Sequence, residues 1–168
     1  MSQYLGKDKI KVFQFLQEIG IEYHTTLDQF DSFLPGVKIE RGKLMINLNN
    51  LISIGDVLHE AGHLACLPSQ LRNSASGDLT VSLGPEYTYE MGAMLWSVAA
   101  AYHIQISLKS VFHDLGYKGD SAWLLQLYQS GNYLGLPLLQ FLGLAYYDEE
   151  IESGLGKSFP TLKKWLRD

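Results

Sequence analysis

The chain has 168 residues, 46% of them hydrophobic and only 18% charged, and its 13 Lys and Arg against 18 Asp and Glu give a net charge of −5. Apolar surface on this scale excludes a disordered chain, because burying it offsets the entropy of ordering. No basic cluster is present to serve as a nucleic-acid footprint, and the single cysteine, Cys66, excludes an intrachain disulfide and a cysteine-built zinc knuckle.

The length fits one domain, residues 1–168, with a core of its own. Asp8 can cap a helix carrying Ile10, Val12, Phe13, Leu16 and Ile19, with Gly20 as its stop. An irregular stretch follows, ending at the turn Leu34-Pro35-Gly36. Residues 37–39 and 43–48 form two strands joined through Glu40-Arg41-Gly42, and in the second Leu44, Ile46 and Leu48 alternate with Met45 and Asn47. A helix capped by Asp56 then runs to Pro68, and the polar residues 69–83 form a loop. Pro85 suits the first turn of a long helix reaching about His103. Shorter helices are expected over 108–115, 121–130, 138–147 and 160–167. The fold class is α+β: a mostly helical single domain with a small sheet preceding the central helix.

The first residues lack the basic and apolar regions of a signal peptide. The apolar runs near 94–101 and 136–147 are interrupted and too short to span a bilayer. A cytoplasmic protein with no membrane or nucleic-acid partner is expected. The scarcity of charge calls for either a large core or a face covered by a second copy, as in a homo-oligomer, or by another partner.

Chemistry concentrates in His59-Glu60-Ala61-Gly62-His63, an H-E-x-x-H pattern inside a helix. Four residues turn through about 400°, so the two histidines stack on one face roughly 6 Å apart along the axis. Both imidazoles can then reach one ion at zinc–nitrogen distances of about 2.0–2.1 Å. Glu60 projects about 100° further round, placed to take a proton from a water that the zinc acidifies. Chance alone puts this pattern in on the order of one such chain in a hundred. Gly62 costs up to about 1 kcal/mol relative to Ala inside a helix, which a site needing close approach of another backbone explains.

A catalytic zinc normally takes three protein ligands and keeps one open position. Glu90 shares a face of the long helix with Ala93, Met94, Ser97 and Ala101, which is apolar and inward, and a carboxylate there needs a partner or a metal. Glu90 is the first choice for third ligand, with Glu86, one turn earlier, as the alternative. His103 falls on the opposite side and suits a structural role, and Cys66 suits a buried thiol. His113 and Asp114 sit near a helix end, where His113 can favour the dipole or touch substrate. His24 and Asp31 lie in the irregular stretch, where they could cover the site. Tyr87, Tyr89 and Tyr117 are candidates to stabilise an oxyanion, and the spacing does not choose among them.

His59-Glu60-x-x-His63 with a downstream Glu on a second helix resembles the gluzincin branch of zinc metallopeptidases. No third histidine follows at the metzincin offset. The string from Gly55 to Ala65, with Trp96 to Ala101, Phe112-His113-x-x-Gly116-Tyr117-Lys118-Gly119 and Gly135-x-Pro137-Leu138-Leu139-Gln140, is similar to an uncharacterised bacterial family of small HEAGH-containing proteins. The resemblance implies a zincin-like fold, Zn2+ held by His59, His63 and Glu90, and Glu60 as catalytic base, and it names no reaction; the residues themselves lead to the expectation of a zinc-dependent hydrolase acting on a peptide or small amide. The resemblance also implies that residues 43–48 offer a strand edge to an extended substrate. The small size speaks against a deep endopeptidase cleft. The alternative is a non-catalytic metal-binding regulatory or interaction protein on the same scaffold.

Overall fold

The computed structural model describes residues 2–168. Helix α1 (Ser2–Ile19) begins before Asp8, which lies inside it, and ends at Gly20 as the sequence predicts. Three strands follow: β1 (Tyr23–Thr26), β2 (Val37–Glu40) and β3 (Lys43–Asn47). The β2–β3 hairpin closes through Arg41 and Gly42, both with positive φ (50° and 74°), the geometry whose twist matches that of paired strands. Strand β1, which its mixed composition hides, pairs in parallel with β3, so β3 is central and the order is β1-β3-β2. Strand 43–48 therefore has both edges filled and cannot accept a substrate strand. That corrects the expectation for this segment.

Helix α2 (Ile54–Cys66) starts three residues earlier than expected of an Asp56 cap. Ser53 is the cap, its hydroxyl accepting from the Gly55 N–H, which frees Asp56 to turn inward. The polar connection expected as a loop contains two single-turn helices, α3 (Ser69–Arg72) and α4 (Leu79–Ser82). The long helix expected from Pro85 is broken. A 3₁₀ turn (Pro85–Tyr87) leads to Tyr89 in the left-handed region (φ 45°), and α5 (Glu90–His103) begins after it. Beyond lie α6 (Leu108–Val111), a 3₁₀ turn (Tyr117–Gly119), α7 (Ser121–Gln129), α8 (Leu136–Phe141) and α9 (Asp148–Glu152). Residues 160–167 are not helical. Among the described residues no helix is long and apolar enough to cross a membrane.

Helices α2 and α5 form the centre of the core. α5 is buried without a break from Gly92 to Ala101, and every residue of α2 is buried except Glu60, which is half-buried. A helix as apolar as α5 must be buried all round, and with Glu90 as its one Asp, Glu, Lys or Arg it accounts for part of the chain's charge deficit. The two helices cross so closely that a Cβ on Gly62 would lie 2.6 Å from the Ala93 carbonyl oxygen. Gly62→Ala is therefore expected to lower stability by about 1–3 kcal/mol, against the gain of up to about 1 kcal/mol in helix propensity. Urea unfolding of the metal-free protein measures the difference, and a stabilised variant would refute the close crossing.

Residues 160–167 run as a strap over the C-terminal end of α2. The Arg167 N–H donates to the Ala65 carbonyl, and the Arg167 guanidinium donates to that of Cys66. Arg72 donates to the carbonyls of Leu64, Leu67 and Arg167. The last three carbonyls of α2, those of Leu64, Ala65 and Cys66, are thus satisfied, with cations at the negative end of its dipole. The strap is anchored by Trp165, which packs edge-on to Phe15 and Trp96 and accepts the Trp96 indole N–H on its carbonyl. This explains why 160–167 is no helix: its backbone groups and rings serve α2 and α5. Arg72→Ala is expected to cost about 2 kcal/mol in denaturant unfolding, since bonds from a charged donor are lost and buried carbonyls are left unpaired.

Candidate metal centre

α2 stacks His59 and His63 on one face, with their Nε2 atoms 3.1 Å apart. The break at Tyr89 makes Glu90 the first residue of α5, where the free N–H groups of the first turn favour an anion. From there its carboxylate straddles the two rings, Oε1 3.3 Å from His59 Nε2 and Oε2 3.2 Å from His63 Nε2. His59 and His63 are buried, whereas the Glu90 side chain is 54% exposed. His59, His63 and Glu90 are thus brought together, their donor atoms within 4.8 Å of one another. Glu86 stays in the 3₁₀ turn, folded against Gly84, and does not join them.

The donor chemistry fits a cation. His63 Nδ1 lies 2.6 Å from the Thr88 carbonyl oxygen. A carbonyl only accepts, so Nδ1 carries the proton, and Nε2 is left to donate to Glu90 when His63 is protonated or to ligate an ion when it is neutral. Such groups converging on one point call for positive charge, supplied by a proton on a histidine or by a cation that all three could hold. Tetrahedral ligands on arms of about 2.0–2.1 Å sit about 3.3 Å apart; the two Nε2 atoms are 3.1 Å apart, and each meets its own Glu90 oxygen at 3.2–3.3 Å. Other divalent ions also accept imidazole and carboxylate.

Charge within the group follows the same logic. Burial works against ionising Glu90, but hydrogen bonds from His59 and His63, reinforced by their charge, outweigh it and hold the carboxyl well below the usual range. Burial also opposes charging His63, and there the hydrogen bond to Glu90 and the charges of Glu60 and Glu90 prevail, so its pKa is raised. Glu60 is pushed up by burial despite the opposing pull of His63 and His59.

Glu60, His63 and Glu90 face a cavity of about 590 Å³. Its walls come from the loop bearing Asp31 and Phe33, from β2, and from Gly77 to Thr80 opposite. Val37, Ile39 and Leu79 make the floor apolar, and Phe33, 89% exposed, stands at the rim. Of the two residues expected as possible cover for the site, Asp31 lines the cavity, while His24 is on β1 and exposed. The edge of β2 is partly closed by the chain itself. Val37 donates to the Leu34 carbonyl and the Ile39 carbonyl accepts from Gly77. A strand residue's N–H and C=O point the same way, so the Ile39 N–H is an outward donor on that edge.

None of the three tyrosine candidates lines the cavity. Tyr89 accepts from Arg167 and Tyr87 packs edge-on to Tyr89. Tyr117 lies behind His59, its hydroxyl 3.2 Å from Nδ1. His113 does not line the cavity; its Nε2 is 2.9 Å from Asp56 Oδ1. Asp114 is exposed, and His103 is flanked by Phe15 and Trp165. Burial raises the Cys66 thiol to about 12, which makes it an inert core group. Sequence reasoning missed the Thr88 carbonyl, a backbone group that no residue type announces. It also missed the Asp56–His113 pair, hidden by Asp56's suitability as a cap. No family model, curated protein or solved structure matches the chain.

Proposed function

We propose that the protein is a zinc-dependent hydrolase with a zincin-like fold, acting on a peptide or other amide bond. The observation that carries this reading is the convergence of His59, His63 and Glu90 beside a cavity that also receives Glu60. His59, His63 and Glu90 hold the ion. When bound, it supplies a Lewis acid for the scissile carbonyl and acidity for a water. Glu60 takes the proton of the attacking water and delivers it to the leaving amine. A carboxyl raised by burial suits both halves of that task, because it is a stronger base than one in water. The apolar floor of Val37, Ile39 and Leu79 takes a side chain of the substrate, and the Ile39 N–H offers one hydrogen bond to its backbone.

The partly closed edge of β2 favours a second reading, a non-catalytic metal-binding regulator on the same scaffold. Incubating zinc-loaded protein with a mixed peptide library and with aryl amides separates the two. Cleavage that a chelator abolishes and added zinc restores supports the hydrolase. An untouched library and untouched amides, at one bound zinc per chain, favour the regulator.

A further inference from the structure

We propose that Tyr117 is a positioning residue for His59, fixing the proton on its Nδ1 so that Nε2 is presented to the metal, and that the Asp56–His113 pair holds the turn carrying it. This rests on the metal reading of the site. The two histidines are supported differently. His63 Nδ1 has a backbone carbonyl, that of Thr88, whereas His59 Nδ1 meets the Tyr117 hydroxyl at 3.2 Å, the rings crossing at 87°. A ligating imidazole that donates its second N–H is held in one tautomer and one ring plane. At His59 the acceptor is a phenol oxygen.

The turn that delivers the phenol is built for the purpose. Tyr117 and Lys118 are both left-handed (φ 52° and 53°), a conformation that residues with side chains rarely adopt in succession. Two devices hold it. The Ser121 hydroxyl is shared between the carbonyls of His113 and Gly116, pinning the strand of chain before Tyr117. His113 Nε2 meets Asp56 Oδ1, and Asp56 precedes His59 by three residues on α2, so the turn is tied to the ligand helix at two points about one helical turn apart. The Tyr117 ring also packs on Phe112. Left-handed backbone held by polar bonds on both sides marks a place where geometry is over-determined, as at functional sites.

Zinc affinity and zinc release by competition with a chromophoric chelator test the proposal, on the wild type, Tyr117→Phe and Tyr128→Phe. The last removes a comparable hydroxyl, bonded to the Leu134 carbonyl, away from the metal. Tyr117→Phe is expected to bind zinc about ten- to a hundredfold more weakly and release it faster. In nitrogen NMR of the loaded protein, its His59 Nδ1 resonance should move. Tyr128→Phe is expected to lower the unfolding midpoint while leaving zinc affinity unchanged. Unchanged affinity in Tyr117→Phe, or an equal loss in Tyr128→Phe, overturns the positioning role alone. A wild type that binds no zinc overturns the metal reading and this proposal with it.

Discussion

Replacing His63 by alanine is expected to lower zinc affinity by on the order of a thousandfold. Zinc sites in small domains are worth about 10–16 kcal/mol, so losing one of three ligands removes roughly 4 kcal/mol, and each 1.4 kcal/mol is about tenfold. The wild type should gain thermal stability with added zinc, about 2.7 kcal/mol at a hundredfold excess over Kd, and His63→Ala should gain little. Without metal the loss is smaller and of another kind. His63 Nε2 lies 3.2 Å from the Glu90 carboxylate and Nδ1 2.6 Å from the Thr88 carbonyl. Removing those bonds from a buried ring should lower the stability of metal-free His63→Ala by about 1–3 kcal/mol. Zinc titrations followed by thermal unfolding measure both halves, and an equal zinc-induced gain in the two proteins would refute the role of His63.

Glu60→Gln separates chemistry from binding. The amide keeps the shape of the carboxylate and cannot take a proton, so hydrolysis should fall by about a hundred- to ten-thousandfold, the usual range for a positioned acid–base group. Zinc content should stay near that of the wild type, because Glu60 is outside the group formed by His59, His63 and Glu90. Burial already disfavours the charged carboxylate at this position. Removing the charge should therefore leave the unfolding midpoint unchanged or raised, a stability gained at the expense of activity. Rates on whichever substrate the wild type cleaves, with metal analysis on the same samples, decide the matter. Retained hydrolysis would remove Glu60 as the base.

What the sequence made legible was what repeats or punctuates. The i, i+4 spacing of His59 and His63, the alternation of residues 43–48 and the Gly62 signal each report a local geometry, and each is present in the structure. Glu90 joins the two histidines for another reason than the inward helix face the sequence suggests: its side chain is exposed, and it stands at the start of α5 because Tyr89 breaks the helix, a left-handed residue that no glycine announces. Long-range pairing was not legible. Strand β1 is defined by its parallel register with β3, residues 160–167 are drawn off helix by the free end of α2 and by Phe15 and Trp96, and Asp56 is turned from cap to buried partner by His113. In each case a tertiary contact overrode a reasonable local preference.

Anomalous diffraction at the zinc edge, from a crystal of the protein loaded with one equivalent of zinc, tests the metal centre most directly. A single strong peak is expected within about 2.2 Å of His59 Nε2, His63 Nε2 and a Glu90 carboxylate oxygen, with Glu60 facing it from the cavity side. A peak elsewhere on the chain, or none between these three side chains at full occupancy in solution, would contradict the metal centre and the hydrolase built on it.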